Sequence, residues 1–239
     1  MKRVLITGGS RGIGAETVRV FAQNGDRVAF FYRENQAAAE KVAAETGAVA
    51  IRCDVSDPTA VRIGIIEAVA ALGGGIDVLV NNAGVASMGL SRDTTDAEWR
   101  RVADTNLSAA FYLAREVQQY MIPKGWGRII NIGSMWGKVG ASCEVAYSAA
   151  KAGLRGLTMA LCKELGPSGI TVNCIEPGVI DTEMNAALDD AARRELADAT
   201  PLCRIGKARE VADAVLFLAS DAAAFITGQC LGVDGGFAV

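Results

Sequence analysis

Short apolar segments rich in β-branched residues alternate with alanine-rich segments along almost the whole chain. The apolar segments are nearly continuous, which is typical of strands that helices cover on both faces. Strand–helix alternation of this kind requires right-handed crossovers in a parallel sheet. The sequence therefore predicts an α/β fold with a doubly wound parallel sheet. The predicted strands are 3–7, 27–32, 48–53, 76–80, 128–133 and 170–175, and the predicted helices are 14–24, 36–46, 57–71, 96–120, 147–165 and 207–219.

The length of the chain suits a single folding unit. Its 239 residues, of which 51% are hydrophobic, are enough to fill one large core. Since no internal repeat, low-complexity tract or Pro/Gly-rich linker divides the sequence, we expect one domain over residues 1–239. Residues 181–206 are more polar than their surroundings and are predicted to form a helical excursion near the end of this domain.

Charge and residue types exclude several functions. Because the chain has no histidine, a Ser–His–Asp triad, a Cys–His pair and a His-bearing metal site are impossible, and no metal is expected. The net charge is −3 and no Lys/Arg run reaches five, which offers no surface to nucleic acid or to an anionic membrane. No apolar stretch approaches about 18 residues, so we expect a soluble cytoplasmic protein. The six cysteines stand singly and are predicted to be reduced, buried thiols.

The first predicted strand leads directly into a glycine-rich turn, TGGSRGIG at 7–14. Glycine permits a tight strand-to-helix turn and lets backbone amides approach a diphosphate at the helix N-terminus, where free N–H groups and the helix dipole favour negative charge. A P-loop would need Lys and then Ser or Thr after the last glycine, but Ala15 and Glu16 follow, and the ordinary G-x-G-x-x-G spacing is absent. The turn therefore favours a dinucleotide; a glycine-rich connection without a ligand is the alternative.

The T-G-x-x-x-G-x-G form of this turn resembles that of the short-chain dehydrogenase/reductase family, and segments over residues 2–237 resemble the same family in order. CDVSD (53–57) resembles its adenine-side segment, NNAG (81–84) its fourth-strand signature, and TVNCIEPGVIDTEM (171–184) the segment that reaches the nicotinamide pocket. TGQCLGVDGGF (227–237) resembles its closing strand, which implies a Rossmann-type sheet of about seven strands with helices on both faces. The cofactor-binding residues implied in this way are Gly8, Ser10, Arg11, Gly12, Ile13, Gly14, Arg33, Asp54, Val55, Asn82, Ala83, Gly84, Tyr147, Lys151, Pro177, Gly178, Ile180 and Thr182.

A tyrosine and a lysine, Tyr147 and Lys151, stand four positions apart in the segment AYSAAKAG. This spacing alone is weak, because a core-edge tyrosine beside a solvated lysine gives the same pattern. Ser134, thirteen positions before Tyr147, and Asn106 complete the set of Asn, Ser, Tyr and Lys that is catalytic in the family. The resemblance implies that Asn106 anchors a water joining Lys151 to solvent. Ser134 is expected to contact and polarise the substrate carbonyl.

Tyr147 is predicted to do the proton transfer usually given to a histidine. A phenol has an unperturbed pKa near 10, but an ammonium about 4 Å away stabilises the phenolate by about 4 kcal/mol at an effective dielectric of about 20. Before desolvation is subtracted, this lowers the pKa by up to about three. We therefore expect Lys151 to lower the pKa of Tyr147, and Tyr147 to protonate a carbonyl oxygen while a reduced nicotinamide delivers hydride to the carbon.

The end of the second predicted strand indicates which nicotinamide cofactor is used. NAD-preferring members carry an acid there for the adenosine 2′-hydroxyl, but the segment FFYREN has no acid before Arg33. Arg11 and Arg33 together match the geometry of a 2′-phosphate. NADPH/NADP+ is therefore predicted and NADH is disfavoured. Against this, Glu34 stands beside Arg33, and either arginine could be a solvated surface charge.

Within the family, the nearest resemblance is to bacterial 3-oxoacyl-acyl-carrier-protein reductases of fatty acid biosynthesis, through PGVIDTEM and a VDGG ending. It implies reduction of a 3-oxoacyl thioester, which can be bound to a carrier protein, by a homotetramer in which the excursion at 181–206 lies on the substrate side. Gly125 and Ser168 stand where such enzymes often carry basic residues for the acidic carrier. Carrier docking is therefore weakened, although Lys124 and Arg128 remain nearby.

Two alternatives stay open. The segment SMWGKVGASCEVAYSAAKAG (134–153) also resembles elongation factor P 5-aminopentanone reductases, which reduce a ketone on a modified protein side chain. Glu144 would suit a substrate ammonium if it faces the pocket, or would be a solvated carboxylate at a helix start. Trp136, Met184 and Ser134 are the other predicted substrate contacts. A non-catalytic NADP(H)-binding regulator on the same fold is the second alternative.

Overall fold

The computed structural model describes residues 1–185 and 188–238. The strands of this part of the chain are β1 (Arg3–Thr7), β2 (Arg27–Tyr32), β3 (Val49–Arg52), β4 (Val78–Asn81), β5 (Gly127–Ile132), β6 (Ile170–Pro177), β7 (Ile180–Asp181), β8 (Gly206–Lys207) and β9 (Cys230–Val233). The α-helices are α1 (Gly12–Gln23), α2 (Gln36–Thr46), α3 (Pro58–Leu72), α4 (Asp96–Ala103), α5 (Ala109–Met121), α6 (Trp136–Val139), α7 (Val145–Leu165), α8 (Asp190–Asp198) and α9 (Ala208–Leu218).

Seven strands form one parallel sheet in the order β3-β2-β1-β4-β5-β6-β9, and β7 pairs with β8 separately. The chain winds outward from β1 to β3 and then returns to continue on the other side of β1, so the strand order reverses between β1 and β4. The carboxyl ends of these two strands therefore flank a crevice. Open α/β sheets bind their ligands at such a crevice.

Helices cover both faces of the sheet. Successive residues of β2 point to opposite faces, so Phe31 packs with Leu79 and Leu113 against α3, α5 and α7. Phe30 packs with Phe21 on the other face, beneath α1, α2 and α9. Each fully buried phenylalanine contributes about 1.5–3 kcal/mol relative to an exposed one. The predicted α/β fold, with seven strands between two helix layers, is confirmed.

The segment 96–120 differs from its prediction as one continuous helix. In the structure, α4 and α5 are separated by a π-helical turn at Asp104–Ser108. Asn106 lies in this turn, and its side-chain amide donates to the backbone carbonyls of Val85 (2.8 Å) and Val102 (2.9 Å). π-Turns of this kind occur mostly within longer helices and often at functional sites. The turn places an amide side chain in the protein interior.

The predicted excursion at 181–206 contains the 3-10 turn Glu183–Asn185 and helix α8 among its described residues. Nowhere in 1–185 and 188–238 is a helix both long enough and apolar enough to span a membrane.

Candidate active site

The glycine-rich turn joins β1 to α1 with a backbone that side chains would obstruct. Gly8 and Gly12 have φ angles of +67° and +54°, the left-handed region that favours glycine. A Cβ added to Gly14 would lie 2.1 Å from the carbonyl oxygen of Gly8, and one added to Gly9 would lie 2.6 Å from Phe30. Close approach of the turn to the first helical residues therefore requires these glycines.

Side chains at the ends of β1 and β4 fix the position of this turn. The Thr7 hydroxyl accepts hydrogen bonds from the backbone amides of Asn82 (3.0 Å) and Ala83 (2.9 Å). The side-chain amide of Asn82 donates to the carbonyls of Thr7 (2.9 Å) and Gly8 (3.2 Å). The NNAG segment thus has a structural role in holding the glycine-rich turn against the neighbouring strand.

A cleft of about 570 Å³ opens above the carboxyl ends of the strands. All of the predicted cofactor-binding residues lie in its wall, together with Ser134 and Met184. The structure therefore brings segments that lie between Gly8 and Asn185 in sequence to one cleft. Their binding roles stay predictions. Sequence reasoning missed several further residues of the wall, including Tyr32, Asn35, Val85, Arg101, Thr105 and Glu183.

Ser134 and Tyr147 meet at one end of the cleft. Ser134 follows β5, and its hydroxyl accepts a hydrogen bond from the backbone amide of Trp136 (3.2 Å). Tyr147 lies in the first turn of α7, near enough to Ser134 for that side chain to act on its pKa. Both side chains are buried, at 7% and 9% exposure. Their hydroxyls therefore face a site that is largely shielded from water.

Lys151 lies one helical turn after Tyr147 and is buried. Its ammonium donates to the backbone carbonyl of Ile132 (2.8 Å) and lies 5.5 Å from the centre of the Tyr147 ring. Burial lowers the pKa of Lys151 to about 8, because the interior disfavours the charged form. The spacing of four residues thus places the amine beside the ring but directs it at the end of β5.

The expected lowering of the Tyr147 pKa by Lys151 is not found. Burial raises the pKa of Tyr147 to about 12; the Ser134 side chain opposes this change, and the negative charge of Glu144 adds to it. Desolvation of the phenolate therefore outweighs stabilisation of its charge. The sequence pattern showed the proximity of the two side chains but not the depth at which they are buried.

Asn106 is buried behind the cleft wall and is brought close to Lys151. A Cβ added to Gly84 would lie 2.7 Å from Asn106 Oδ1 and 3.5 Å from Lys151 Nζ, so both atoms face the same side of Gly84. Within the described residues, the buried Asn106 Oδ1 has no hydrogen-bond partner. An unpartnered buried acceptor beside an ammonium suits a bridging water, as the family resemblance implies.

The comparison with known proteins agrees with this geometry. A family model described as enoyl-(acyl carrier protein) reductase matches residues 8–238. The 3-oxoacyl-[acyl-carrier-protein] reductase FabG of Escherichia coli (strain K12) is 41% identical over 236 residues, which cover 98% of this chain and 96% of that protein. A solved short-chain dehydrogenase/reductase from Serratia marcescens BCRC 10948 is 37% identical, with a TM-score of 0.94 over 100% of this chain and 98% of that one. The chain belongs to the short-chain dehydrogenase/reductase family.

A second structure adds a bound molecule to this comparison. The blue fluorescent protein from a metagenomic library, in complex with NADPH, is 39% identical, with a TM-score of 0.93 over 100% of this chain and 98% of that one. The predicted family membership and the prediction of an oxidoreductase are confirmed.

The residues at the glycine-rich turn fit the diphosphate of a dinucleotide cofactor. Helix α1 begins at Gly12, and the side chain of the preceding Arg11 does not cap its first amides. No acidic residue lies in the first turn of α1. The N-terminus of α1 therefore suits an anion, and the absence of a Cβ at Gly14 lets the turn pack against this helix end without a clash with the Gly8 carbonyl.

The adenosine end of the cleft has mixed charge. Asp54 accepts hydrogen bonds at Oδ1 from the amide (3.0 Å) and the hydroxyl (2.7 Å) of Ser56, which fix its carboxylate at the cleft wall. The Arg33 guanidinium forms an exposed ion pair with Glu34 (2.7 Å). Arg52, which sequence reasoning missed, donates to the Arg33 carbonyl (3.1 Å) and lines the cavity beside it. Its only sequence signal was a basic residue directly before the CDVSD segment.

Two of the predicted substrate contacts lie away from the cleft wall. Trp136 packs beside Tyr147, and its ring meets that of Phe237 edge-on with the ring centres 5.7 Å apart. Its contacts therefore hold Tyr147 in place and do not face the cleft. Glu144 directly precedes α7 and is half-buried; burial raises the pKa of its carboxyl. Within residues 1–185 and 188–238, no side-chain hydrogen bond or ion pair compensates this carboxylate. Of the substrate-side predictions, only Ser134 and Met184 line the cleft.

Proposed function

We propose that this protein reduces a ketone to a secondary alcohol with NADPH, and that its substrate is a 3-oxoacyl thioester. The observation that carries the proposal is the pair of hydroxyls of Ser134 and Tyr147 at the wall of the cleft that also contains the glycine-rich turn. The 41% identity to a 3-oxoacyl-[acyl-carrier-protein] reductase supports the substrate class. The NADPH complex of a structural relative supports the cofactor.

NADPH supplies a hydride to the carbonyl carbon, and the residues of this chain supply the proton and the shielding. A pKa of about 12 keeps Tyr147 protonated at neutral pH, so its phenol can donate to the oxygen of the carbonyl as negative charge develops there. Ser134 donates to the same oxygen and stabilises that charge in a site of low water content. The raised pKa of Tyr147 therefore suits the reduction direction.

Lys151 is proposed to replace the proton that Tyr147 gives up. A pKa of about 8 leaves the amine mostly protonated at neutral pH but able to release a proton. Asn106 Oδ1 lies on the side of Gly84 that Lys151 also faces, and a water held there would connect the amine to solvent. Protons thus pass from solvent to Tyr147 through a water held at Asn106 and through Lys151, and no histidine is needed.

The cofactor preference is proposed to depend on arginines at the adenosine end. Arg11 and Arg33 both line the cleft, and Arg52 adds a third guanidinium beside Arg33. Guanidinium groups match the geometry and charge of a 2′-phosphate. Because Arg33 is paired with Glu34, it must exchange this exposed partner for the phosphate, which costs little at a solvated surface.

A ketone on a modified protein side chain is the second candidate substrate. The observation that favours it is the half-buried, uncompensated carboxylate of Glu144 close enough to Tyr147 to raise its pKa. A terminal ammonium on the substrate would pair with this carboxylate. The absence of basic residues at Gly125 and Ser168 weakens docking of an acidic carrier and is consistent with this alternative.

Turnover of NADPH with a small thioester tests the proposal. With acetoacetyl-CoA, we expect loss of NADPH absorbance, and a Tyr147→Phe variant with unchanged NADPH affinity should be slower by about 10²–10⁴-fold. Near-normal turnover by this variant would defeat the assignment of Tyr147. NADPH binding without any turnover would instead support a non-catalytic regulator.

A substrate panel then separates the two candidates. It contains acetoacetyl-CoA, an acyl-carrier-protein thioester and a protein that carries a ketone and a terminal amine on one side chain. If the second candidate is correct, Glu144→Gln should lower kcat/KM for the amine-bearing ketone and leave the thioester rate unchanged. An equal effect on both substrates would mean that Glu144 acts through Tyr147 alone.

A further inference from the structure

Two cysteines that are far apart in sequence lie side by side on neighbouring strands. Cys174 in β6 and Cys230 in β9 are register partners in the parallel sheet. Side chains at paired positions point to the same face, and the two Sγ atoms lie within 4.8 Å of one another. A carboxylate oxygen of Glu176 lies within the same distance of both. The three groups form the thiol cluster, defined as Cys174, Glu176 and Cys230.

The backbone at the thiol cluster has the dimensions that a disulfide needs. Neighbouring strands lie about 4.8 Å apart. Disulfides join Cα atoms that are about 4.4–6.8 Å apart, so Cys174 and Cys230 fall within the allowed range. Only their side chains must rotate to bring the sulfurs from within 4.8 Å to bonding distance. The strand register therefore places two thiols where a bond between them can close.

The surroundings of the thiol cluster favour a thiolate at Cys230. Arg155 of α7 donates to both carboxylate oxygens of Glu176 (2.5 and 2.6 Å), which puts a guanidinium next to the sulfurs. The adjacent Cys174 thiol has the largest effect on Cys230 and lowers its pKa to about 7; burial and the charge of Glu176 oppose this change, and Arg155 adds to it. The pKa of the buried Cys174 is raised by the same contact and by burial. Cys230 is also partly exposed, and thiols that combine a lowered pKa with exposure are the reactive ones.

Occupation of the thiol cluster by a metal ion is disfavoured by the same contacts. Glu176 is the only oxygen ligand of the three, and both of its oxygens are already held by Arg155. A cation at the cluster would have to displace this guanidinium and would lie close to it. A bond between the two sulfurs can form while Arg155 stays paired with Glu176.

We propose that Cys174 and Cys230 form a reversible disulfide when the protein meets a hydroperoxide. The half-buried Cys230 thiolate attacks the outer oxygen of the hydroperoxide, the O–O bond breaks, and a sulfenic acid and an alcohol or water result. The buried Cys174 thiol then attacks the sulfenic sulfur, and its proton leaves with the hydroxyl as water. Two thiols lose two electrons and two protons, and the hydroperoxide is reduced.

Peptide mass mapping of the peroxide-treated full-length protein tests this proposal. We expect the count of free thiols per chain to fall from six by two, with a cross-linked peptide pair containing Cys174 and Cys230 that dithiothreitol separates. Cys230→Ser and Cys174→Ala should each abolish the cross-link. The matched control is Cys203→Ser, which changes an exposed cysteine outside the thiol cluster and should leave the cross-link intact.

Three results would overturn the proposal. One is oxidation of Cys230 to a sulfinic acid without a cross-link, and another is a disulfide that joins only Cys203 residues of two chains. The third is a cross-linked species that persists in Cys174→Ala. If a variant does not fold, the location of the cross-link in the unaltered protein decides the question by itself.

Discussion

At the level of single residues, burial changes the proton affinities of Tyr147 and Lys151 in opposite directions. The pKa of Tyr147 rises to about 12 and that of Lys151 falls to about 8, because the interior disfavours both the phenolate and the ammonium. The phenol is thereby kept as a proton donor across the physiological range. The amine becomes the member of the pair that titrates close to neutral pH.

The pH dependence of reduction follows from this difference. We expect kcat/KM for the ketone to be level below about pH 7 and to fall as the pH rises through about 8, because Lys151 then loses the proton it must supply. Tyr147 stays protonated over this range. The measurement is a pH profile of NADPH oxidation. The control is Lys151→Arg, whose guanidinium stays charged, so its residual activity should not fall near pH 8. A flat pH profile in the unaltered enzyme would contradict proton transfer from Lys151 to Tyr147.

Gly84 provides a test of the position of Asn106. A Cβ at Gly84 would lie 2.7 Å from Asn106 Oδ1 and 3.5 Å from Lys151 Nζ, so Gly84→Ala should displace both groups. We expect a fall in kcat on the order of 10²-fold, since small displacements of catalytic groups have effects of this size. Gly89→Ala, where the added Cβ meets nothing within 4 Å, is the matched control. Equal rates in the two variants would contradict a role for Asn106.

The residues of the site were predictable where their signal is local in sequence. The glycine-rich turn and the Tyr147–Lys151 spacing depend on neighbours within a few positions, and the structure places these residues in one cleft. The direction of the Tyr147 pKa shift depends on burial, which the spacing does not contain, and that expectation was wrong. Arg52 and the pair of Cys174 and Cys230 become visible only when the strand register is known.

At the level of elements, the connection of β1 to α1 allows no side chain at Gly14. In Gly14→Ala, the added Cβ would lie 2.1 Å from the Gly8 carbonyl oxygen, so the turn must open. We expect NADPH affinity, measured by fluorescence titration, to fall at least about tenfold because the amides no longer converge on the diphosphate. Affinity equal to that of the unaltered protein would contradict the diphosphate position.

A helical glycine without such contacts serves as the control for this variant. The Cβ of Gly156→Ala in α7 would meet nothing within 4 Å. We expect this variant to keep its NADPH affinity and to gain about 0.5–1 kcal/mol in free energy of unfolding, since glycine is unfavourable within a helix. A urea titration measures this gain.

The bounds of the elements were predictable where the local pattern and the tertiary contacts agree. β1, β2 and α2 begin and end at the predicted residues, because β-branched or alanine-rich runs stop at polar or glycine positions. The π-turn at Asp104–Ser108 was missed, since its residues have no spacing that distinguishes it from a continuous helix. The short helix α6 was also missed, and it is this element that carries Trp136 away from the cleft wall.

At the level of the whole molecule, Asp77 joins segments at the amino ends of the strands, on the opposite side of the sheet from the cleft. Its buried carboxylate accepts from the Arg3 guanidinium (2.7 and 3.0 Å) and the Lys124 ammonium (2.6 Å). Burial acts to raise the pKa of Asp77, but the hydrogen bonds from these two cations overcome it and lower the pKa to about 2. A carboxyl with a lowered pKa stabilises the fold above its ordinary pKa of 3.8 and loses this effect as the pH falls through about 2.

Replacement of Asp77 should therefore have a pH-dependent effect. We expect Asp77→Asn to lower the free energy of unfolding by about 1–2 kcal/mol at pH 7, a value kept small because the Lys124 side chain is 45% exposed and its charge is screened by water. The difference from the unaltered protein should narrow as the pH approaches 2. Urea titrations at several pH values measure it. The control is Asp213→Asn, which removes an exposed ion pair with Arg209 and should change stability little; a pH-independent loss in Asp77→Asn would exclude the charge effect.

The number of chains in the assembly depends on which exposed apolar side chains form interfaces. The resemblance implies a homotetramer, and large apolar side chains are exposed at Phe111 of α5 (43%) and Met159 of α7 (44%). A closed tetramer with two kinds of two-fold interface breaks into dimers when one interface is lost. Light scattering should give a mass about four times 24.9 kDa, and Phe111→Glu with Met159→Glu should halve it. Val49→Glu, at an exposed site on the edge strand β3, should leave the mass unchanged; a monomer in the unaltered protein would contradict the tetramer.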